Sequence, residues 1–182
     1  MFRARLPLLL CLFSSALSAT EPAVSTSDKW WMYLADYDGK PGSTRVDMGL
    51  RARAPLPDLQ QIVIFGTKYE QIPTSGFPTD AALEQLNRDS DSLILAVLSV
   101  QAGVYVGTFT HAGEQLHYVY VKSSEGTEGA FSAALAAACP TCAPIFRTRS
   151  DPEWKAYLKF LYPNEATLRH YGYDDRRFRS VQ

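Results

Sequence analysis

The residues best suited to chemistry stand together in the stretch AAACPTCAPIF, residues 136–146. Cys139 and Cys142 are separated by two residues, which is the spacing found in thiol–disulfide exchange sites. In such a site one thiolate attacks a substrate disulfide, and the second cysteine resolves the mixed disulfide. The same spacing also suits a structural disulfide that closes a short loop. The pair therefore leaves two functions open, a redox centre or a covalent staple.

The sequence around the pair favours the staple. An alanine-rich helix is predicted from Glu128 to about Ala138, so Cys139 would lie at the C-terminal, negative end of the helix dipole. A reactive thiolate is normally stabilised by a helix N-terminus or a nearby cation, and no Lys, Arg or His stands within the four preceding or three following residues. We therefore expect a disulfide between Cys139 and Cys142. Thiol–disulfide exchange, with Cys139 attacking and Cys142 resolving, is the alternative.

The remaining candidate groups do not form a catalytic pattern. His111, His117 and His170 are scattered along the chain, and no G-x-S-x-G motif is present to hold a nucleophilic serine. One C-x-x-C motif without further cysteine or histidine ligands is too little for a zinc site. The histidines are therefore predicted to be surface or half-buried polar residues. The sequence predicts no catalytic residue, no metal and no cofactor.

The first 19 residues, MFRARLPLLLCLFSSALSA, have the three parts of a secretory signal peptide. Arg3 and Arg5 give a basic start, an apolar run follows, and small residues precede a predicted cleavage site near Ala19. The apolar run is shorter than the ~20 residues that a membrane span needs. We therefore expect a periplasmic or secreted protein. In such an oxidising compartment, a close cysteine pair is normally a disulfide.

The rest of the chain is predicted to be one domain with polar ends. Residues 20–29 predict a flexible arm, residues 30–170 a single domain, and residues 171–182 a polar tail. No stretch after the signal peptide is apolar enough for membrane insertion. Charges of both signs are interspersed along the chain, which argues against nucleic-acid binding.

Strand signals dominate the first part of the domain. Asp38 and Gly39 predict a hairpin turn between two extended runs, because Asp-Gly favours tight turns. The apolar run Ile62–Phe65 predicts a strand that is buried on both faces. A second hairpin is predicted in the stretch VYVGTFTHAGEQLHYVYVK.

Three helix starts can be recognised by their capping residues. Thr79 is predicted to cap a long amphipathic helix that ends near Val100, and Thr127 to cap the alanine-rich helix. Asp151 is predicted to cap a third helix, with Pro152 at its first position. The order of strands and helices predicts an α+β fold, with a mostly antiparallel sheet, two main helices on one face and an extra C-terminal helix.

Aromatic residues at the start of the domain suggest a binding surface. Trp30, Trp31, Tyr33 and Tyr37 fall in the first predicted strand, and Trp and Tyr are common anchors of protein interfaces. Adjacent Trp30 and Trp31 must point to opposite faces of a strand. We therefore predict a non-catalytic module that binds another periplasmic or extracellular protein. The narrower hypothesis is an inhibitor that protects a bacterium from a periplasmic toxin.

Five segments of the domain resemble one bacterial family, domain of unknown function 695. In chain order they are DGKPGSTRVDMGL, QIVIFGTKY, GFPT, VYVGTFTHAGEQLHYVYV and DPEWKAYLKFLYP. The resemblance extends from about Trp30 to His170 and implies a ferredoxin-like arrangement of strands and helices. It implies no activity and no catalytic residue. The CPTC segment departs from the family pattern.

Overall fold

The computed structural model describes residues 29–173. The predicted signal peptide, all but the last residue of the predicted arm, and all but the first three residues of the predicted tail lie outside this range. None of the helices within the described range is long and apolar enough to cross a membrane.

Six antiparallel strands form a single sheet in the order β1-β2-β4-β5-β3-β6. Their bounds are β1 Trp30–Tyr37, β2 Lys40–Asp47, β3 Gln61–Lys68, β4 Gly103–His111, β5 Glu114–Val121 and β6 Pro144–Ser150. The helices are α1 Asp80–Val100, α2 Thr127–Ala138 and α3 Glu165–His170, with a 3₁₀ turn at Met48–Ala52 and a π-helical turn at Ala156–Leu161. The α+β class is confirmed. The ferredoxin-like assignment stays a prediction.

Local sequence accounts for most of these elements. Thr79 caps α1 as predicted, because its hydroxyl accepts a hydrogen bond from the Ala82 N–H. Asp38 and Gly39 have φ values of 54° and 77°, the left-handed pair that closes the tight β1–β2 hairpin. The Ile62–Phe65 run is buried on both faces at the centre of β3, also as predicted.

The two faces of the sheet are covered by different parts of the chain. Val63 and Phe65 of β3 pack with α1 and α2 on one face. Ile62 and Ile64 pack on the other face with Trp154, the π-helical turn and α3. The β1–β2 hairpin extends the sheet, and on its α1 side Met32 and Leu34 remain 65% and 51% exposed.

The predicted start of the C-terminal helix was wrong. Pro152 is not its first residue, since Trp154 has a φ of 52° and the π-helical turn begins at Ala156. Packing explains the difference: the fully buried Trp154 ring stacks on Tyr120 at a centroid distance of 4.0 Å, and its Nε1 donates to the Leu59 carbonyl. Tertiary contact therefore overrides the local helix signal.

The predicted cap of α2 was also wrong. Thr127 is the first residue of the helix, and Gly126, with a φ of 76°, occupies the capping position without a side-chain bond. The Thr127 hydroxyl instead donates to the Ser124 carbonyl at 2.6 Å, holding the preceding loop.

Candidate functional site

An open groove lies between α1 and the part of the sheet that α1 does not cover. Its volume is about 460 Å³, within the usual range of ligand pockets. Two rows of side chains crossing neighbouring strands make its floor, because cross-strand partners in an antiparallel sheet share one face. The first row is Met32, Arg45 and Thr108, taken from β1 through β2 to β4, and the second row is Leu34, Ser43, Thr110 and Gln115, taken from β1 to β5. His117 of β5 continues the first row beneath α1, outside the groove lining.

The inner ends of both rows are hydrogen-bonded beneath α1. His117 Nδ1 lies 2.9 Å from the Thr108 hydroxyl, which also contacts the Tyr105 hydroxyl. In the second row the Gln115 amide donates to Thr110 at 3.4 Å, and its oxygen accepts from Ser90 of α1 at 3.2 Å. These bonds fix the rotamers of the floor and leave the outer ends open.

His117 contradicts the prediction of a surface or half-buried histidine, because it is only 2% exposed. It lies on the same face of β5 as Val119 and Val121, and α1 and α2 cover that face. Burial, with a smaller contribution from the charge of Arg45, lowers the pKa of His117 to about 4. The imidazole is therefore neutral at pH 7 and places no charge beside Thr108.

The groove lining carries one formal charge of each sign. Arg45 lies over the Trp30 ring, 4.6 Å from its centroid, a cation–π contact. Asp91 lies on α1, on the opposite wall. Within residues 29–173, neither Arg45 nor Asp91 makes an ion pair. Burial raises the pKa of Tyr105, so this phenol also stays neutral.

Apolar side chains form the rims of the groove. Met32 and Leu34 stand on the β1 side, while Phe77, Pro78 and Leu83 stand on the α1 side. GFPT was recognised only as a segment that resembles the family of unknown function, and no site was predicted there. A signal was nevertheless present, since Thr108 and Thr110 repeat on one face of an otherwise apolar strand.

The predicted aromatic surface does not form one exposed patch. Tyr33 is a correction: it is 4% exposed, and its hydroxyl donates to the Leu161 carbonyl in the core. Trp31 and Tyr37 are half-buried on the same face as Tyr33, where Trp31 packs against Tyr171 and Tyr173. Trp30 lies on the opposite face, stacked on Tyr105. The exposed apolar residues of β1 are Met32 and Leu34.

The two edges of the sheet differ in whether their outward backbone groups are hydrogen-bonded. At the β1 edge, the Tyr171 hydroxyl accepts from the Leu34 N–H at 3.1 Å and donates to the Leu34 carbonyl at 3.0 Å. The middle of this edge is therefore closed to another strand. At the β6 edge, the outward backbone groups of Phe146 and Thr148 form no hydrogen bond with any described residue.

Two exposed arginines lie on β6, the strand that forms the open edge. Arg147 and Arg149 lie on the same face of β6, opposite Ile64 and Ile62 of β3. Neither makes an ion pair with another residue in the range 29–173. With the partly exposed Phe160 they line a shallow pocket of about 250 Å³.

Cys139 and Cys142 are at disulfide distance, with their sulfurs 2.01 Å apart. Cys139 is the C-terminal capping residue of α2, so it faces the negative end of the helix dipole. The fold adds Lys68 to a small pocket beside Cys142, but Glu70 and Asp89 line the same pocket. The surroundings therefore do not favour a thiolate at either cysteine.

The fold and these surfaces define a class: an α+β protein whose antiparallel sheet is covered on both faces, with a groove beside α1 and one open edge. The model of the family of unknown function DUF695 matches residues 28–162. The chain belongs to this family. No curated protein and no solved structure matches the chain.

Proposed function

We propose that this protein is an exported, non-catalytic module that binds another protein by strand addition at β6. The open β6 edge beside two unpaired arginines is the observation that carries the proposal. An exposed edge offers unpaired backbone groups to a partner strand, and such main-chain pairing is a common mode of peptide recognition. Inhibition of a periplasmic toxin is the specific form that we propose; the predicted signal peptide and the small single domain support it.

Pairing geometry identifies the backbone groups available to a partner strand. The Lys68 N–H donates to Ala143 and the Asp151 N–H to Gln60, so the odd-numbered residues of this segment turn their backbone groups toward β3. The even-numbered residues Phe146, Thr148 and Ser150 therefore turn theirs outward. Pro144 offers no N–H, which limits the open edge to the segment from Phe146 to Ser150.

The side chains beside this edge indicate the partner's chemistry. A strand added next to β6 would place alternate side chains beside Arg147 and Arg149, on the face that also carries Phe160. Carboxylates at those positions would form charge-assisted hydrogen bonds with the guanidinium groups. We therefore propose an extended, acidic segment of a partner protein as the occupant of this edge.

Charge reversal at the edge tests this proposal. A double variant, Arg147→Glu and Arg149→Glu, should weaken partner binding by about a hundredfold, because like charges would replace attraction at both positions. Thr148→Pro should weaken binding as well, since it removes an outward N–H while the β3 ladder stays intact. The measurement is surface plasmon resonance with the partner captured on the wild-type domain from a periplasmic extract.

The matched control is Lys40→Glu with Arg88→Glu, two charge reversals at exposed positions away from β6. It should leave binding within about threefold of the wild type. Equal affinity for the edge variants and the control would remove β6 from the interface and contradict the proposal.

The disulfide provides a test of the rival function, thiol–disulfide exchange. A Cys142→Ser bait that exchanged disulfides would trap a partner through Cys139 and release it only with reductant. We expect instead that the partner is retained in reductant and also binds the variant in which both cysteines are serine. Release by reductant alone would assign the function to the cysteine pair.

A further inference from the structure

The groove beside α1 suggests a ligand site that is separate from the β6 edge. We infer that the groove binds a small zwitterion with an apolar side chain, a free α-amino acid or a dipeptide. Arg45 would hold its carboxylate, Asp91 would hold its ammonium group, and the rims would cover its side chain. The inference does not depend on strand addition at β6.

The two opposite charges in the groove indicate a ligand that carries both an anionic and a cationic group. Arg45 and Asp91 are its only lining residues with a formal charge at pH 7, and neither forms an ion pair within the described part of the chain. A simple carboxylate would be attracted by Arg45 but repelled by Asp91. A simple amine would be attracted by Asp91 but repelled by Arg45. A ligand with both groups pairs with Arg45 on the floor and with Asp91 on the wall, and it keeps the filled groove neutral.

Arg45 is held in place before any ligand arrives. Its guanidinium lies over the Trp30 ring, which itself stacks on Tyr105 at a centroid distance of 5.1 Å. A stacked guanidinium loses less conformational freedom on binding and keeps its planar donor edge for a carboxylate. Ser43, two residues earlier on the same face of β2, places a hydroxyl in the same groove.

Asp91 is the last of three residues that form one row along the α1 wall of the groove. Leu83, Asn87 and Asp91 are four residues apart on α1 and therefore share one face of the helix. This row gives the wall an apolar end at Leu83 and an acidic end at Asp91. The Asn87 amide between them offers a further hydrogen-bonding group for the ligand.

The apolar rims of the groove would contact the ligand's side chain. Met32 and Leu34 are more exposed than most large apolar side chains of this fold, and they face Phe77 and Leu83 across the groove. A ligand side chain placed between them would remove apolar surface of both partners from water, which favours binding. The floor beneath is already hydrogen-bonded through Thr108 and Thr110, so it adds few unsatisfied polar groups.

Isothermal titration calorimetry of the domain, residues 20–182, tests the inference. The probes are L-phenylalanine, L-leucine, the dipeptide Leu-Leu, glycine, 3-phenylpropanoate and phenethylamine. We expect at least one of the three apolar zwitterions to bind. Glycine, the carboxylate-only probe and the amine-only probe should each bind about tenfold more weakly or worse, because each lacks one of the three recognised groups.

Two variants and their controls assign the charges. Arg45→Met and Asp91→Asn should each weaken binding of the best zwitterion by about tenfold. Arg88→Met and Glu84→Gln remove one cation and one anion from the exposed surface of α1 outside the groove, and should leave binding unchanged. Amide chemical shifts of Thr108 and Thr110 should move on titration of the wild type, which checks the location without any variant.

Three results would overturn the inference. They are no binding of any zwitterion at millimolar concentration, equal binding of 3-phenylpropanoate and L-phenylalanine, and unchanged binding by the Asp91→Asn variant. Loss of strand addition in the β6 variants would leave all three readouts unaffected, so the two proposals fail separately.

Discussion

Replacing Asp151 by alanine is expected to lower the free energy of unfolding by about 3 kcal/mol or more. The Asp151 carboxylate is buried and accepts three hydrogen bonds, from the Tyr120 hydroxyl at 2.6 Å and from the Lys155 and Ala156 N–H groups at 2.9 Å. Its loss would leave these donors unsatisfied in the core. Chemical denaturation monitored by tryptophan fluorescence measures the effect.

Two further variants test whether the loss of stability comes from the hydrogen bonds of Asp151. Asp58→Ala removes an exposed carboxylate and should change the free energy of unfolding by less than about 0.5 kcal/mol. Tyr120→Phe keeps the ring that stacks on Trp154 and removes only the hydroxyl. Combined with Asp151→Ala, it should be less than additive, because both changes remove the same hydrogen bond. A cost below about 1 kcal/mol for Asp151→Ala would contradict the network.

The same carboxylate makes stability depend on acid. Burial alone would raise the pKa of Asp151, but hydrogen bonds from the Ala156 N–H, Tyr120 and the Lys155 N–H outweigh it, and the net effect is a pKa below the ordinary 3.8. Because the folded pKa is the lower one, this stabilisation is complete above pH 3.8 and is lost as the pH falls through the folded value.

Lowering the pH from 7 to 4 is expected to reduce the free energy of unfolding by roughly 3 kcal/mol through His117. Unfolded His117 takes up a proton near its ordinary pKa of 6.5, whereas burial delays protonation in the folded state to about 4. The unfolded state therefore binds more protons between these values, and acid favours it. Denaturation curves at several pH values across this window measure the loss.

His117→Asn is the matched variant for this prediction. Asparagine can keep a hydrogen bond to the Thr108 hydroxyl and does not titrate, so the variant should lose most of the pH dependence between 7 and 4. His111 and His170 are present in both proteins and cancel in the comparison. Equal slopes for the variant and the wild type would show that His117 is not responsible.

Elements governed by local sequence were the predictable part of the fold. The cap at Thr79 and the apolar repeat after it predicted α1 with its final bounds, and Asp38-Gly39 predicted the first hairpin. At Trp154 the local signal failed, because a ring stacked on Tyr120 determined the backbone. A contact with a residue so far away in the sequence leaves no trace in the sequence around Pro152.

The groove was not predictable for a similar reason. Its floor combines residues of four strands, and its wall belongs to α1, so its lining depends on strand order and on where α1 crosses the sheet. The alternation of a strand puts His117 on the same face of β5 as Val119, but only the position of the helices determines that this face is covered. The cysteine pair was correctly placed at the end of α2, because its position depends only on the helix that precedes it in the sequence.

The Tyr171 hydroxyl on Leu34 has a consequence for self-association. A sheet with two open edges can stack head to tail without limit, since the free edge of each copy accepts the opposite edge of the next. Here the β1 edge is closed at its centre, so a strand added at β6 cannot be the β1 strand of another copy unless Tyr171 moves away. For the strand addition proposed at β6, this closed edge would let the protein accept one partner strand without extending the sheet into a fibre.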